Sequence, residues 1–225
     1  MTDDVVIRVH DIHRRFDGHE VLKGVTLDVL RGQTTVVIGR SGIGKSVLLK
    51  HIIGLLKPDV GQIFIDGEDV TPIPINAMDH VRRKFGMLFQ NAALFDSMNV
   101  LDNVAFPLRE HSQLGKVEIE SKVLEKLRLV GLEGVEKKMP AELSGGMRKR
   151  VGLARAIALD PPIILYDEPT PGLDPILCDT IDRLIMHMQK ELDVTSFVIS
   201  HDIEGAFKVG DRIAMLHDGR IQVCG

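Results

Sequence analysis

The sequence lacks a long hydrophobic run, an excess of positive charge and a closely spaced pair of cysteines. Its apolar stretches, such as residues 52–56 and 163–166, are far too short to cross a bilayer. Lys and Arg number 28 against 32 Asp and Glu, and the net charge of −4 argues against the basic face that broad nucleic-acid binding requires. We therefore expect no membrane segment in this chain and no nucleic-acid partner.

Two further absences bear on the compartment. The chain has two cysteines, Cys178 and Cys224, which lie too far apart in sequence to form a metal-spaced or redox pair, as is typical of a reducing environment. The N-terminus, Met-Thr-Asp-Asp, carries acids where a signal peptide would carry positive charge and then an apolar run. Both observations predict a cytoplasmic protein.

The pattern of apolar residues predicts an α/β fold. The first third of the chain is rich in β-branched runs separated by turns, and from about residue 163 short strands alternate with helical segments, which indicates βαβ units and a mainly parallel sheet. Between them, Val117, Leu124, Leu127 and Val130 show helical spacing. We predict one domain, residues 1–225, with a helical subdomain inserted at approximately residues 91–160.

The clearest motif is a glycine-rich loop between a predicted strand and a predicted helix. Residues 39–46 match the pattern G-x-x-x-x-G-K-[ST], in which glycines let successive backbone N–H groups point at phosphate oxygens. Lys45 is expected to reach the β- and γ-phosphates and Ser46 to bind Mg²⁺. An ordinary strand-to-helix turn with a stray lysine is the less favoured interpretation. The predicted nucleotide-binding residues are Gly39, Arg40, Ser41, Gly42, Ile43, Gly44, Lys45 and Ser46.

Two carboxylates follow an apolar strand at residues 163–166. A buried parallel strand delivers its C-terminal residues to the edge of the sheet where α/β folds bind ligands. Asp167 is therefore predicted to hold Mg²⁺, and Glu168 to orient and deprotonate the attacking water. Without the glycine-rich loop, a solvated strand end would be the preferred interpretation.

A second pair of glycines begins another predicted helix. Ser144 is a plausible helix cap, and Gly145 and Gly146 would allow an anion to approach the helix N-terminus. Alone, this segment is best interpreted as a capped helix; beside the first loop, it resembles half of a phosphate site that a second copy would complete. The basic residues 148–150 that follow are interpreted as a solvated face, or as an attraction for the neighbouring nucleotide.

Six motifs in order resemble those of the ATP-binding-cassette (ABC) ATPases, and nearly the whole chain takes part. They are the Walker A loop 39–46, Gln90, the signature Leu143-Ser144-Gly145-Gly146, the Walker B pair Asp167-Glu168, Gly172-Leu173-Asp174, and Ser200-His201. The resemblance implies a P-loop NTPase core with an N-terminal antiparallel β part. It also implies ATP hydrolysis and a head-to-tail homodimer, with each ATP between one chain's Walker A loop and the other's signature.

The resemblance assigns further roles. Gln90 would contact Mg²⁺ or the water and sense the transporter, Asp174 would lie at the dimer seam, and His201 would contact the γ-phosphate. Phe16 falls where the family places an aromatic that stacks on adenine, and its ring offers the required flat face. Met147 and Pro171 depart from the family pattern, but neither removes a phosphate donor.

A narrower resemblance rests on residues 86–111, which are similar to the ATPase subunit of bacterial Mce-associated lipid transporters. It implies phospholipid transport, an integral membrane permease, an Mce-domain lipid-binding protein in the same system, and a peripheral location on the cytoplasmic face of the inner membrane. The alternatives are the ATPase of a small-solute importer, for example for an amino acid, and a non-transport ABC protein. Non-transport members in DNA repair or translation carry a long coiled coil or two cassettes, and neither feature is present.

Overall fold

Two β-sheets form the framework of the chain in the computed structural model, which describes residues 4–225. The strands are β1 (Val5–Phe16), β2 (His19–Leu30), β3 (Thr34–Ile38), β4 (Val60–Ile65), β5 (Glu68–Asp69), β6 (Phe85–Leu88), β7 (Ile163–Asp167), β8 (Thr195–Ser200), β9 (Arg212–His217) and β10 (Arg220–Cys224). The helices are α1 (Lys45–Ile52), α2 (Asp79–Arg82), α3 (Val100–His111), α4 (Lys116–Leu129), α5 (Gly145–Ala156), α6 (Pro175–Leu192) and α7 (Ile203–Val209), and residues 75–77 and 140–142 form 3₁₀ turns.

The first sheet is antiparallel, with strand order β2-β1-β4-β5. Its two long strands form a hairpin closed by Asp17 and Gly18, both with positive φ, which is the backbone conformation that a two-residue hairpin turn requires. This confirms the predicted N-terminal antiparallel part.

The second sheet has the order β10-β9-β3-β8-β7-β6. Four of its five pairings are parallel, and the added β9–β10 hairpin is antiparallel, so the prediction of a mainly parallel sheet is confirmed. Because β3, β6, β7 and β8 run in one direction, their carboxyl ends meet at one edge of the sheet. The glycine-rich loop, Gln90, Glu168 and His201 follow these four strands and are placed along that edge.

The two faces of the parallel sheet bury different partners, because side chains alternate along each strand. Val37, Leu165 and Phe197 belong to a core shared with the antiparallel sheet and α1. Their neighbours Tyr166 and Val198 belong to a second core shared with the helices. This two-sided burial explains why β7 is apolar up to Asp167 and why every residue of β8 is buried.

Helices α3, α4 and α5 lie between β6 and β7 in the chain and pack on one another. Val104, Leu108, Val123, Leu127 and Val151 are buried in their common core. The predicted subdomain, about residues 91–160, encloses all three helices, and its standing as a separate unit stays a prediction. Within residues 4–225, no helix combines the length and the hydropathy that a membrane span requires.

Candidate nucleotide-binding site

The glycine-rich loop leaves β3 and enters α1 at Lys45. Gly44 has a φ of 108°, and a Cβ at this position would lie 2.9 Å from the Cγ1 atom of Val21, so only glycine fits both the backbone and the space. No side chain of the described chain caps α1. The N–H groups of its first turn therefore keep their capacity to bind an anion.

Lys45 and Glu168 form a buried ion pair at the centre of the site. The Nζ atom of Lys45 lies 3.0 Å from Oε1 of Glu168, and these side chains are 4% and 10% exposed. The same Nζ donates to the carbonyl oxygens of Gly39 at 2.7 Å and Arg40 at 3.2 Å. The ammonium thus lies where the loop folds back on itself, facing a cavity of about 390 Å³. That cavity is lined by Val21, Ser41, Gly42, Gly44, Lys45, Ser46, Val47, Gln90, Glu168 and His201.

Ser46 and Asp167 offer oxygen atoms beside this cavity. The Ser46 hydroxyl donates to Oδ1 of Asp167 at 3.2 Å. Burial raises the pKa of Asp167 and the nearby charge of Glu168 adds to this effect, while the Ser46 hydrogen bond opposes it. A hydroxyl and a carboxylate next to a phosphate-binding loop are the ligands that Mg²⁺ takes with nucleotide phosphates, so these residues fit that ion.

Glu168 contacts His201 as well as Lys45. Its Oε2 atom lies 2.7 Å from Nδ1 of His201 and accepts from the His201 backbone N–H at 3.2 Å. The backbone of Glu168 has a φ of 49°, in the left-handed region that residues other than glycine rarely adopt. Its N–H donates to the Ile199 carbonyl at 3.0 Å. One carboxylate therefore joins the Lys45 ammonium to the His201 ring.

The signature residues border a different cavity. Ser144 caps α5, with its hydroxyl accepting from the Met147 N–H at 3.2 Å. Gly145 lines a cavity of about 330 Å³, together with Gln90, Asn91, Ala92, Arg148, Lys149, Pro171, Gly172 and Leu173. Gln90 lines both cavities. Asp174 caps α6 by accepting from the N–H groups of Ile176 and Leu177, each at 3.0 Å.

Phe16 is not among the residues lining the Lys45 cavity. It lies at the end of the β1 hairpin strand, 37% exposed, and the Arg14 guanidinium lies 4.7 Å from its ring centroid. One face of the ring is thus covered by a cation. Its role towards adenine stays a prediction.

Two residues with clear contacts at the site were not predicted. Arg155 donates to the carbonyls of Ala92 and Ala93, each at 2.7 Å. Lys149 is 5% exposed and donates to the carbonyls of Gln90 and Glu168, so the interpretation of residues 148–150 as one solvated face is wrong for Lys149. Helical periodicity was the available signal, because Gly146, Lys149 and Leu153 share the buried face of α5.

Taken together, a strand, a glycine-rich loop, a helix N-terminus and a lysine face an acidic strand end across one cavity. This arrangement defines a nucleotide-binding site of the P-loop class. It agrees with the fold class and with the kind of ligand expected from the sequence.

Comparisons with known proteins agree with a nucleotide-binding site of this class. The ABC transporter family matches residues 22–171. A Mycobacterium leprae protein named probable ribonucleotide transport ATP-binding protein mkl is 49% identical over 212 residues, covering 94% of this chain and 61% of that protein. The intermembrane phospholipid transport system ATP-binding protein MlaF of Escherichia coli is 45% identical over 205 residues, covering 91% and 76%. The solved ATP-binding cassette MJ0796, a dimer in a post-hydrolysis state bound to ADP and Pi, is 32% identical with a TM-score of 0.88, covering 97% of each chain.

This chain belongs to the ABC transporter family. It spans less than two thirds of the length of the mycobacterial relative.

Proposed function

We propose that this chain is the ATP-hydrolysing subunit of a membrane transporter that moves phospholipid or a related lipid between membranes. The observation that carries the ATPase proposal is the Glu168 carboxylate, which lies between the phosphate-loop lysine and His201 at the edge of one cavity. The name of the MlaF relative supports the lipid assignment.

The geometry supports the following division of work. Lys45 and the first N–H groups of α1 bind the β- and γ-phosphates, which draws the ammonium away from Glu168. Glu168 then accepts a proton from a water whose oxygen attacks the γ-phosphorus, while the bond from that phosphorus to the bridging oxygen breaks to give ADP and phosphate. His201 holds the carboxylate in place and contacts the γ-phosphate.

Ser46 and Asp167 would hold Mg²⁺, with Gln90 as a further ligand. When bound, the ion neutralises charge that develops on the phosphate oxygens. Gln90 is suited to a second role, which is to sense the membrane subunit of the transporter. It also lines the signature cavity, and it follows the strand β6 that borders the helices.

A homodimer completes the site in this proposal. Within one chain, Gly145 of the signature and Lys45 line different cavities, which supports a head-to-tail arrangement of two chains around each nucleotide. The related cassette MJ0796 was solved as a dimer with ADP and Pi. ATP would lie between the Lys45 loop of one copy and residues Ser144, Gly145 and Gly146 of the other, with Asp174 at the seam.

An apolar groove beside the helices is suited to a permease. It encloses about 540 Å³ and has aromatic walls, including Phe85, Phe89, Phe95 and Phe106, with Arg82, Arg83 and Arg155 among its lining residues. Buried Asn103 shapes one wall through hydrogen bonds to the backbone at Phe95, Met98 and Asn99. We expect an amphipathic helix of the membrane subunit to occupy it, and we propose a peripheral location for this chain on the cytoplasmic face of the inner membrane. An Mce-domain lipid-binding protein would belong to the same system.

A second candidate is the ATPase of a small-solute transporter. The name of the mycobacterial relative, which refers to ribonucleotide transport, is the observation that favours it. It shares the hydrolytic site and differs only in the cargo of the membrane subunit.

The deciding experiment uses the complete transporter, purified with its permease and reconstituted in proteoliposomes. We expect ATP-dependent transfer of a fluorescent phospholipid to acceptor vesicles, and none with a Glu168→Gln complex. ATP-dependent uptake of labelled ribonucleotide or amino acid without lipid transfer would support the second candidate. Phe95→Glu should prevent recovery of the permease with this chain, whereas the exposed Phe207→Glu on α7 should not.

A further inference from the structure

We propose that Lys149 is a positioning residue that holds the general base Glu168 by its backbone and ties it to the Gln90 segment. The inference rests on the proposed ATPase function and concerns a residue that touches none of the reacting atoms. It assigns a mechanical role to a lysine that lies beyond the signature glycines on α5.

The first observation is the environment of the ammonium group. Lys149 is 5% exposed, and its Nζ donates a short hydrogen bond to the carbonyl of Gln90 and a second, at 3.3 Å, to the carbonyl of Glu168. A buried lysine is costly unless its donors are satisfied. Here its hydrogen bonds go to backbone oxygens from two separate segments, so the side chain works as a cross-link.

The second observation is the backbone that Lys149 holds. Glu168 is a non-glycine residue with a φ of 49°, a conformation that persists only where the surroundings enforce it. Its N–H is held by the Ile199 carbonyl and its own carbonyl by Lys149, so hydrogen bonds flank the residue on both sides. That conformation sends the carboxylate towards Lys45 and His201. Loss of the Lys149 bond would release one of the two restraints.

The third observation extends the cross-link along α5. Six residues after Lys149, Arg155 donates to the carbonyls of Ala92 and Ala93, which both have positive φ. Lys149 and Arg155 therefore donate hydrogen bonds to three carbonyl oxygens of the segment 90–93. This segment borders the apolar groove through Ala93, and α5 begins at the signature.

One helix thus connects the groove, the signature and the general base. A displacement of residues 90–93 by an occupant of the groove would move the Gln90 carbonyl, and Lys149 would transmit that movement to Glu168. Burial lowers the pKa of Lys149, and the nearby carboxylates, Asp167 foremost, oppose that shift. Both hydrogen-bond partners of its Nζ atom are carbonyl oxygens, which accept from an ammonium group.

The test compares ATP binding with turnover in the complete transporter complex. Lys149→Met keeps the length and apolar volume of the stem and removes the donors. We expect kcat to fall roughly tenfold or more, because small misplacements of a catalytic group are costly, while the Kd for ATP stays within about twofold. Lys149→Arg keeps a charged donor and should recover part of kcat. Lys190→Met removes an exposed charge at the end of α6 and serves as the matched control.

A double variant separates positioning from general loss of structure. Lys149→Met acts through Glu168, so adding it to Glu168→Gln should lower the residual single-turnover rate no further. Undiminished kcat in Lys149→Met, an equal further loss in the Glu168→Gln background, or a parallel loss of ATP affinity would each overturn the inference. A wild-type complex that binds but does not hydrolyse ATP would instead overturn the proposed function.

Discussion

The two cavities that meet at Gln90 differ in the chemistry they offer. The Lys45 cavity presents a cation, the carboxylate Glu168 and the histidine His201, with the hydroxyl of Ser46 beside them. The lining of the signature cavity includes glycines and the cations Arg148 and Lys149, and no carboxylate within residues 4–225 lines it.

This difference separates chemistry from recognition. Every group that could move a proton lies on the Lys45 side, while the signature side offers a helix N-terminus and positive charge, which suit phosphate binding alone. The contrast predicts that changes to the proton-moving groups on the Lys45 side abolish the chemical step, while changes to the first residues of α5 affect closure of the dimer. Lys149 is an exception on the signature side, because its ammonium is held by backbone carbonyls and acts through Glu168.

The largest effect should come from Glu168→Gln. The amide keeps the size of the side chain but cannot accept the proton from water, so turnover should fall by roughly 10²–10⁴-fold. ATP binding should persist, and a stable ATP-bound dimer should appear by size-exclusion chromatography. Turnover near that of the wild type would remove Glu168 as the base and break the contrast between the cavities.

The next effect tests whether the two cavities cooperate between chains. Lys45→Met should weaken ATP binding, and Gly145→Asp should place a repelling carboxylate at the start of α5, so each homodimer should be inactive. The Asp side chain should be tolerated locally, because a Cβ at Gly145 would meet Leu173 at an ordinary 3.5 Å.

Mixing the two variants restores one intact composite site in each heterodimer. Statistical exchange should then recover about a quarter of wild-type turnover. The measurement is phosphate release after the purified chains have exchanged partners. No recovery, with heterodimers present, would contradict independent composite sites formed between two chains.

The smallest effect concerns Asp174, which lies outside both cavities. Asp174→Ala removes the acceptor for two N–H groups at the start of α6, so the free energy of unfolding of the isolated chain should fall by about 1 kcal/mol. Thermal unfolding should show a decrease in Tm of roughly 2–4 °C. Asp179 on the same helix is half-buried and pairs with Arg183 and Lys208 without capping the helix, so Asp179→Asn is a useful comparison at low and high salt.

The site residues that could be predicted from sequence lie in short, continuous motifs. The geometry of the segment 39–46 is set locally, because the strand, the glycines and the helix are consecutive in the chain. The Asp167-Glu168 pair likewise lies at the end of a buried strand. The same local logic predicted the parallel sheet and the N-terminal strands. These features depend on neighbouring residues, which is where sequence patterns carry most information.

What could not be predicted depends on contacts between distant segments. Lys149 looks like its neighbours Arg148 and Arg150 until the packing of α5 against the segment 90–93 turns it inward. Similarly, the coverage of Phe16 by Arg14 depends on the Asp59 carboxylate, which accepts from the guanidinium at 2.7 Å. Helical periodicity places Lys149 on the buried face of α5, but no local pattern identifies its partners or predicts the contact of Arg14 with Phe16.

The pairing of β6 with β7 also has a consequence for how the chain folds. Phe85 lies opposite Ile163 in adjacent strands, although residues 89–162 separate the two strands in the chain. Closing so long a loop costs chain entropy before the hydrogen bonds between β6 and β7 can offset that cost. We therefore expect this pairing to form late in folding. Gln90 and Glu168 become neighbours only at that step. A nucleotide that binds only the folded chain should therefore raise the free energy of unfolding by mass action. It should not guide the earlier stages of folding.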